Sequence, residues 1–436
     1  TVSSHFKCQS NQLATLICQP TFNCTSRQFM LIKLFQTICD PFRFYCLQTI
    51  ISSAVGKQLL TYFSLFVFFL SCSNGNKSDF TELIDAANGN SIVSEKLNYK
   101  IDTLATGLDN PWGLTFLPNN DLLVTERDGE IRIIRQGELL ENKITGVPEV
   151  YATGQGGLFE IQLHPRYEQN GWLYISYAAP GKGGGNTAIM RAKLGGFNLI
   201  NKEVIFQAQP FLSGGNHFGG RMEFDRDGYL YFSVGERGRQ DHAQTLENHC
   251  GKIFRLKDDG SIPADNPFVN TSGAEPEIFT YGNRNPQGMA IHPITGKIWT
   301  HEHGPMGGDE INVIESGTNY GWPEATYGKN YNGTTITEFT SKPGMADPLH
   351  YWDPSIAPCG MSFVTGDKFS AWSGNLLVGS LKFSYVARLE LDGEKVVHEE
   401  KLLDGIGRVR AIAQGSGGYI YVSTEAPGMV VRIVPE

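Results

Sequence analysis

Long hydrophobic runs are missing from this 436-residue chain. No stretch of eighteen or more apolar residues occurs, which excludes an ordinary transmembrane helix. Charge is sparse at 19%, and the formal net charge of −9 argues against a nucleic-acid partner. Helix signals are nearly absent. Methionine is absent before Met30 and again from there to Met190. Cysteine is scarce after residue 72: Cys8, Cys18, Cys24, Cys39, Cys46 and Cys72 are six of the eight, leaving only Cys250 and Cys359. Those two could meet as a disulfide or stand as separate buried thiols. Glycine is what the chain has in quantity, 50 residues, so the composition is that of a turn-rich globular protein, neither disordered nor coiled-coil.

Composition also divides the chain. Residues 1–72 carry five Lys/Arg and one Asp, and the remainder carries 31 basic against 44 acidic residues. Residues 1–54 are expected to be an upstream segment outside the mature protein. Residues 55–72 read as a signal peptide: Lys57 precedes an apolar run from Leu59 to Leu70, followed by Ser71 and Cys72. Phe69-Leu70-Ser71-Cys72 is a loose form of a bacterial lipoprotein cleavage site, which makes Cys72 a candidate for lipidation. An ordinary signal peptide cut nearby is the alternative. Residues 73–98, opening on SNGNKS, read as a tether, and residues 99–436 as the folded domain. The expected location is exported, in a bacterial periplasm or on a membrane through a lipid alone.

From residue 100 onward one unit recurs: a glycine or proline turn, an alternating strand, an Asx/Gly turn, and a second strand rich in Tyr, Val and Leu. Its six copies pair 111–116 with 121–124, 157–161 with 172–175, 220–224 with 229–232, 288–291 with 297–300, 360–363 with 375–378, and 410–413 with 419–422. Such repeats predict an all-β fold, a six-bladed β-propeller of four-stranded antiparallel blades. A blade cannot bury both faces alone, so blades stack around an axis and close a ring. The strand from Tyr99 to Leu104 is expected to join the last blade. A β-sandwich is the competing architecture, but its strands need not recur in a fixed order. The inserts Asp241–Glu275 and Ser316–Tyr351 are expected on the faces of the ring.

Polar groups concentrate between Tyr281 and Pro323. A hard cation needs oxygen ligands, and this stretch offers Asp309, Glu310 and turn carbonyls near Gly304, Pro305 and Tyr320. Loops expected at the mouth of the central channel carry His217, Glu236, Arg284, Asn285, Lys382, Arg408 and Arg410. Four cations aimed at one mouth repel each other unless an anion sits among them. Arg408 and Arg410 are two apart and share a face of a strand. The set points to a ligand with several carboxylates or phosphates; solvated surface charge is the plainer alternative. His217 lies in GGNHFGG, where glycines let backbone approach a ligand and an imidazole can accept a proton near neutral pH. Glu236, in VGERG, would orient that imidazole. A merely structural histidine is the alternative.

Ten motifs in one order then carry a resemblance. They are NPWGL at Asn110, GQGGL with Gln155, NHFGGR, GERGR, GNRNPQG, EHGPMGGDEIN, NYGWP, PSIAP with Ser355, GSLK with Lys382, and RVR from Arg408 to Arg410. From about residue 100 to 436 the chain resembles the soluble quinoprotein sugar dehydrogenases, the PQQ-dependent glucose and aldose sugar dehydrogenases. The resemblance implies six blades, pyrroloquinoline quinone (PQQ) over the channel mouth, and Ca2+. It makes His217 the general base for the anomeric hydroxyl of an aldose, with Glu236 orienting it and hydride passing to the quinone. Arg284 and Asn285 would face the quinone oxygens, Arg284 stabilising the charge that develops there. Gln155 and Ser355 would be further cofactor contacts, and Lys382, Arg408 and Arg410 would surround the cofactor's carboxylates. Carbonyls of Gly304 and Pro305 would hold the Ca2+ that polarises the quinone. Asp309, Glu310 and the carbonyl of Tyr320 would hold a second, structural one. The glucose enzymes carry aspartate where this chain has Glu236 and threonine where it has Ser355. The implied product is a lactone, with electrons passing to an unidentified external acceptor. A non-catalytic binding propeller and a calcium-dependent lactone hydrolase are the alternatives; the cationic mouth disfavours the latter.

Overall fold

Short strands with apolar residues facing inward leave the chain one economical solution, a ring of sheets packed face to face. The computed structural model describes residues 89–436. The expected upstream segment, the signal peptide, Cys72 and the start of the tether lie outside the described residues. Within them, 24 strands form six four-stranded antiparallel sheets. Strand β1 (Tyr99–Thr106) is set aside for the last sheet. The first blade is β2 (Pro111–Phe116), β3 (Leu122–Glu126), β4 (Glu130–Arg135) and β5 (Glu138–Leu139). The second is β6 (Leu158–Leu163), β7 (Trp172–Gly181), β8 (Gly184–Gly195) and β9 (Asn198–Gln207). The third is β10 (Met222–Phe224), β11 (Leu230–Val234), β12 (Lys252–Leu256) and β13 (Ile278–Tyr281). The fourth is β14 (Pro286–Ile291), β15 (Ile298–Glu302), β16 (Asp309–Val313) and β17 (His350–Trp352). The fifth is β18 (Pro358–Phe363), β19 (Leu376–Ser380), β20 (Val386–Asp392) and β21 (Lys395–Leu402). The sixth is β22 (Val409–Gln414), β23 (Ile420–Glu425) and β24 (Gly428–Pro435), completed by β1.

That last pairing closes the ring, as the strand from Tyr99 leads one to expect. β1 runs antiparallel to β24, from Tyr99 opposite Pro435 to Thr106 opposite Met429. Tyr99 and Ile101 are buried with Val431 of their own sheet and with Trp372, Leu377 and Val386 of blade five. Ordered packing begins before residue 99: Ile92 and Leu97 lie against the same cluster, and the Glu95 amide donates to Glu400 at 2.7 Å. Removing the Ile101 side chain should therefore loosen the closure. Ile101→Ala is expected to cost about 2–5 kcal/mol, read as a lower urea midpoint at unchanged slope.

The repeat pairs read from the sequence coincide with the first two strands of every blade. One expected insert needs correction. Asp241–Glu275 is not a face loop throughout, because β12 runs through it and is buried along its whole length. The other insert, between β16 and β17, folds back so that Trp322, Ala325 and Thr326 line a cavity at the candidate site. The innermost strands β2, β6, β10, β14, β18 and β22 surround a central channel of about 560 Å3. Cys250 and Cys359 are free and buried, two thiols and no disulfide.

Candidate functional site

The loop entering β10 carries His217 in a left-handed backbone turn, φ +54°, uncommon for a residue with a side chain. The chain around it is cut to fit. A Cβ on Gly235 would stand 2.3 Å from the His217 carbonyl oxygen and 2.8 Å from Asn285 Oδ1. The His217 amide donates to Gln155 Oε1 at 2.7 Å, and Nδ1 lies 2.5 Å from Glu236 Oε1. Glu236 is buried, and its Oε2 has no partner. A carboxylate against Nδ1 fixes the ring proton there and leaves Nε2 as the acceptor. Burial pulls the imidazole below its ordinary 6.5; Glu236 pulls the other way, and Arg284 and Arg237 add to the lowering. The result is a ring that is neutral at pH 7.

Arg284 and Asn285 follow β13 and lie beside this loop. The Glu236 amide donates to the Arg284 carbonyl at 2.9 Å, and the Gly219 amide to Asn285 Oδ1 at 3.1 Å. Beneath them is a residue the sequence reading did not single out, Glu302 at the end of β15. Its carboxylate accepts from the Arg284 amide, from the Asn285 amide at 3.3 Å and from Asn283 Nδ2 at 2.8 Å. Arg284 Nη1 donates at 3.1 Å to each of the His303 and Gly304 carbonyls, the guanidinium lies 5.3 Å from the Trp322 ring, and Nε is buried without a partner. The Gly304 carbonyl, expected to face a cation, is thus also an acceptor for Arg284.

A cavity of about 10 Å3 opens between Arg284, Glu302, Gly304, Glu310, Tyr320 and Trp322, room for one water-sized occupant. Burial pushes Glu302 up to about 7, and burial together with the Glu302 charge pushes Glu310 well above the usual range. Two carboxylates facing one small buried space fit a bound cation. Asp309, expected beside Glu310 as a ligand, does not line this cavity. Adjacent residues of a strand point to opposite faces, so Asp309 turns away from Glu310. It accepts from Ser355 Oγ at 2.7 and 2.9 Å, from the Gly304 amide at 2.8 Å and from the Ala357 amide at 2.9 Å. Asp309 therefore braces the buried Gly304–Pro305 turn, and the Ser355 hydroxyl is spent on it.

The remaining cations are brought together across blades five and six. Lys382 and Arg408 are exposed. Arg408 Nη1 donates to the Leu381 carbonyl at 3.1 Å, next to Lys382. Arg410 is buried on β22, with its guanidinium fully engaged. It pairs with Glu425 and reaches Gln287 Oε1 and Cys359 Sγ, each at 3.1 Å. Gln287 in turn donates to the Gly219 carbonyl at 2.9 Å, so a continuous hydrogen-bond path links Arg410 to the His217 loop. Glu425 also takes Arg408 Nε at 3.2 Å. Burial raises the Glu425 carboxyl, but Arg410 and Arg408 outweigh it and hold it below its usual value. Part of the anion that the sequence argument sought in a ligand is therefore supplied by Glu425. Lys382, with no carboxylate within ion-pair distance among the described residues, and the exposed Arg408 are the cations left for a ligand.

These residues fit an anionic ligand with a cation beside it: two exposed positive groups, a polar pair in Gln155 and Asn285, an orphaned Arg284 Nε, and a carboxylate-lined cavity adjacent. Residues 108–432 match the family model described as glucose/sorbosone dehydrogenase. The aldose sugar dehydrogenase YliI of Escherichia coli (strain K12) is 42% identical over 343 residues, covering 77% of this chain and 92% of that protein. The structure of the soluble aldose sugar dehydrogenase from Escherichia coli in its apo-form superposes with a TM-score of 0.75 at 41% identity, covering 78% of this chain and 100% of that one. The PQQ-bound aldose sugar dehydrogenase from Streptomyces coelicolor gives a TM-score of 0.64 at 28% identity, over 78% and 98%. With its repeats, its mouth and these likenesses in agreement, this chain belongs to the glucose/sorbosone dehydrogenase family.

Proposed function

We propose that this protein is an exported quinoprotein that oxidises aldose sugars at the anomeric carbon to lactones, with PQQ and Ca2+ as its cofactors. The observation that carries the reading is the imidazole of His217, its side chain 13% exposed, held at Nδ1 by Glu236 and free at Nε2, beside a cationic mouth. Bound PQQ would supply the acceptor for the hydride, which carries both electrons. The chain's own residues do the rest. His217 Nε2 takes the proton of the anomeric hydroxyl as the C–H bond is broken, and Glu236 stabilises the imidazolium that forms. Lys382 and Arg408 would hold the cofactor's carboxylates, with Arg410 paired to the Glu425 that also holds Arg408. Gln155 and Asn285 would be further contacts to the cofactor, and Arg284 would stabilise the negative charge that develops. Glu310, with Glu302 and the Tyr320 carbonyl, would hold a Ca2+, and the Gly304–Pro305 turn would present carbonyls to another. Export rests on the leader-like residues 55–72, and lipid anchoring on Cys72. The electron acceptor is external to this chain.

The test is reconstitution. Residues 73–436, purified without cofactor, should reduce a dye with several aldoses only when both PQQ and Ca2+ are added. PQQ binding without turnover would instead favour a propeller that binds a ligand or partner and catalyses nothing.

A further inference from the structure

Next to the candidate base's carboxylate partner stands a buried cation that the reaction scheme leaves unused. Arg237 is only 4% exposed, and no carboxylate pairs with it among the described residues. A buried charge without a counter-ion is costly, so its retention calls for a reason. Its guanidinium donates instead to backbone: to the Asn216 carbonyl through Nη1, and through Nη2 to Gly185 at 3.1 Å, Leu212 at 3.3 Å and Gly214 at 3.0 Å. It lies 3.5 Å from the centre of the Phe218 ring, in cation–π contact. Its own amide donates to the His217 carbonyl at 3.3 Å. Arg237 and His217 are both left-handed, φ +61° and +54°. Such conformations persist only where the surroundings over-determine them.

We propose that Arg237 is a positioning residue: one guanidinium gathers the outward carbonyls of the Leu212–Asn216 loop, stacks on Phe218, and so fixes where His217 presents Nε2. The inference rests on the reading of His217 as the base. No neutral side chain of similar length could satisfy four carbonyls at once, and lysine, a point donor, could not span them in one plane. The charged groups that act on the imidazole are Glu236, Arg284 and Arg237 itself, so removing Arg237 also takes away a cation that depresses the ring.

The test compares Arg237→Met and Arg237→Lys with wild type in three measurements. Hydrogen exchange on the apoprotein should be faster for amides of 212–217 in Arg237→Met, with the blade strands unchanged. The His217 ring titration, followed by NMR on the same apoprotein, should move to higher pH in Arg237→Met and stay near wild type in Arg237→Lys. With cofactors added, kcat should fall about 100-fold in Arg237→Met and about tenfold in Arg237→Lys, at nearly unchanged KM for the sugar. If Arg237→Met does not fold, the exchange and kcat of Arg237→Lys decide. Unchanged loop exchange, or an unchanged kcat with His217→Ala inactive, overturns the positioning role. Faster loop exchange with unchanged kcat, in a protein whose His217→Ala variant also turns over, sinks the base reading instead.

Discussion

His217→Ala should lose turnover by about 10²–10⁴-fold, the usual contribution of a positioned general base, while still binding PQQ. The separation follows from the geometry. His217 touches the protein through its amide, held by Gln155 Oε1 at 2.7 Å, and through Nδ1, held by Glu236. The cations proposed for the cofactor, Lys382 and Arg408, belong to blades five and six and take no support from the imidazole. Cofactor affinity, read by fluorescence titration, should therefore stay within a few-fold of wild type, and kcat/KM should collapse. A normal rate in His217→Ala would mean that another group takes the proton. The pH profile gives an independent check with a definite sign. The base must be unprotonated to act, so activity falls as pH drops through the pKa of His217. Burial lowers that pKa below the ordinary 6.5, and the acid limb of kcat/KM should lie below it too. Replacing Glu236 by glutamine removes the group that raises the ring's pKa. The limb should then move further down while kcat falls, because the imidazolium loses its stabilising partner.

Fold and site were not equally legible. The ring could be read because each blade begins with the same turn, strand, turn and strand, and that signal survives wherever one face of a strand is apolar. β12 escaped because its sequence, KIFRL, places Lys252 and Arg255 inside. The Lys252 ammonium is fully buried, held by the carbonyls of His242, Ala243 and Cys250 at 2.8, 3.2 and 2.6 Å, and backbone acceptors leave no mark in a sequence. Glu425 escaped for another reason. It meets Arg408 and Arg410 across the hairpin of β22 and β23, where the Glu425 amide donates to the Arg408 carbonyl at 2.9 Å. Seventeen residues separate Glu425 from Arg408 in the chain, and nothing local flags the pair. Asp309 is the opposite case. The alternation of a strand already separates it from Glu310, and that elementary rule, applied to residues 309–313, would have divided them.

Calcium should raise the thermal stability of the PQQ-free protein, and Glu310→Gln should abolish the rise. Glu302 and Glu310 share a buried cavity about the size of one water. Desolvating two like charges there costs several kcal/mol each, so without a cation the pair retains protons. Burial lifts Glu302 from 4.5 to about 7, and Glu310 is lifted as well. A carboxyl whose folded pKa is raised destabilises the fold as pH climbs from the unfolded value toward the folded one, because the unfolded chain releases its proton first. In chelator, Glu302 should therefore cost stability progressively between about pH 4.5 and 7, and Glu310 adds to the loss. A metal ion competes with those protons, so the Ca2+-induced rise in Tm should be small at pH 5 and large at pH 8. At a hundredfold excess over Kd the stabilisation behind that rise is about 2.7 kcal/mol. Glu310→Gln removes one of the two ionisable groups crowded into the cavity, so the chelated variant should melt above chelated wild type at pH 8 and gain nothing from Ca2+. Asp309→Asn, whose carboxyl is bound to Ser355, Gly304 and Ala357 outside the cavity, should melt lower throughout yet keep its Ca2+ response. If the response survives in Glu310→Gln and vanishes in Asp309→Asn, the cation sits on the other face of β16 and the ligand assignment reverses.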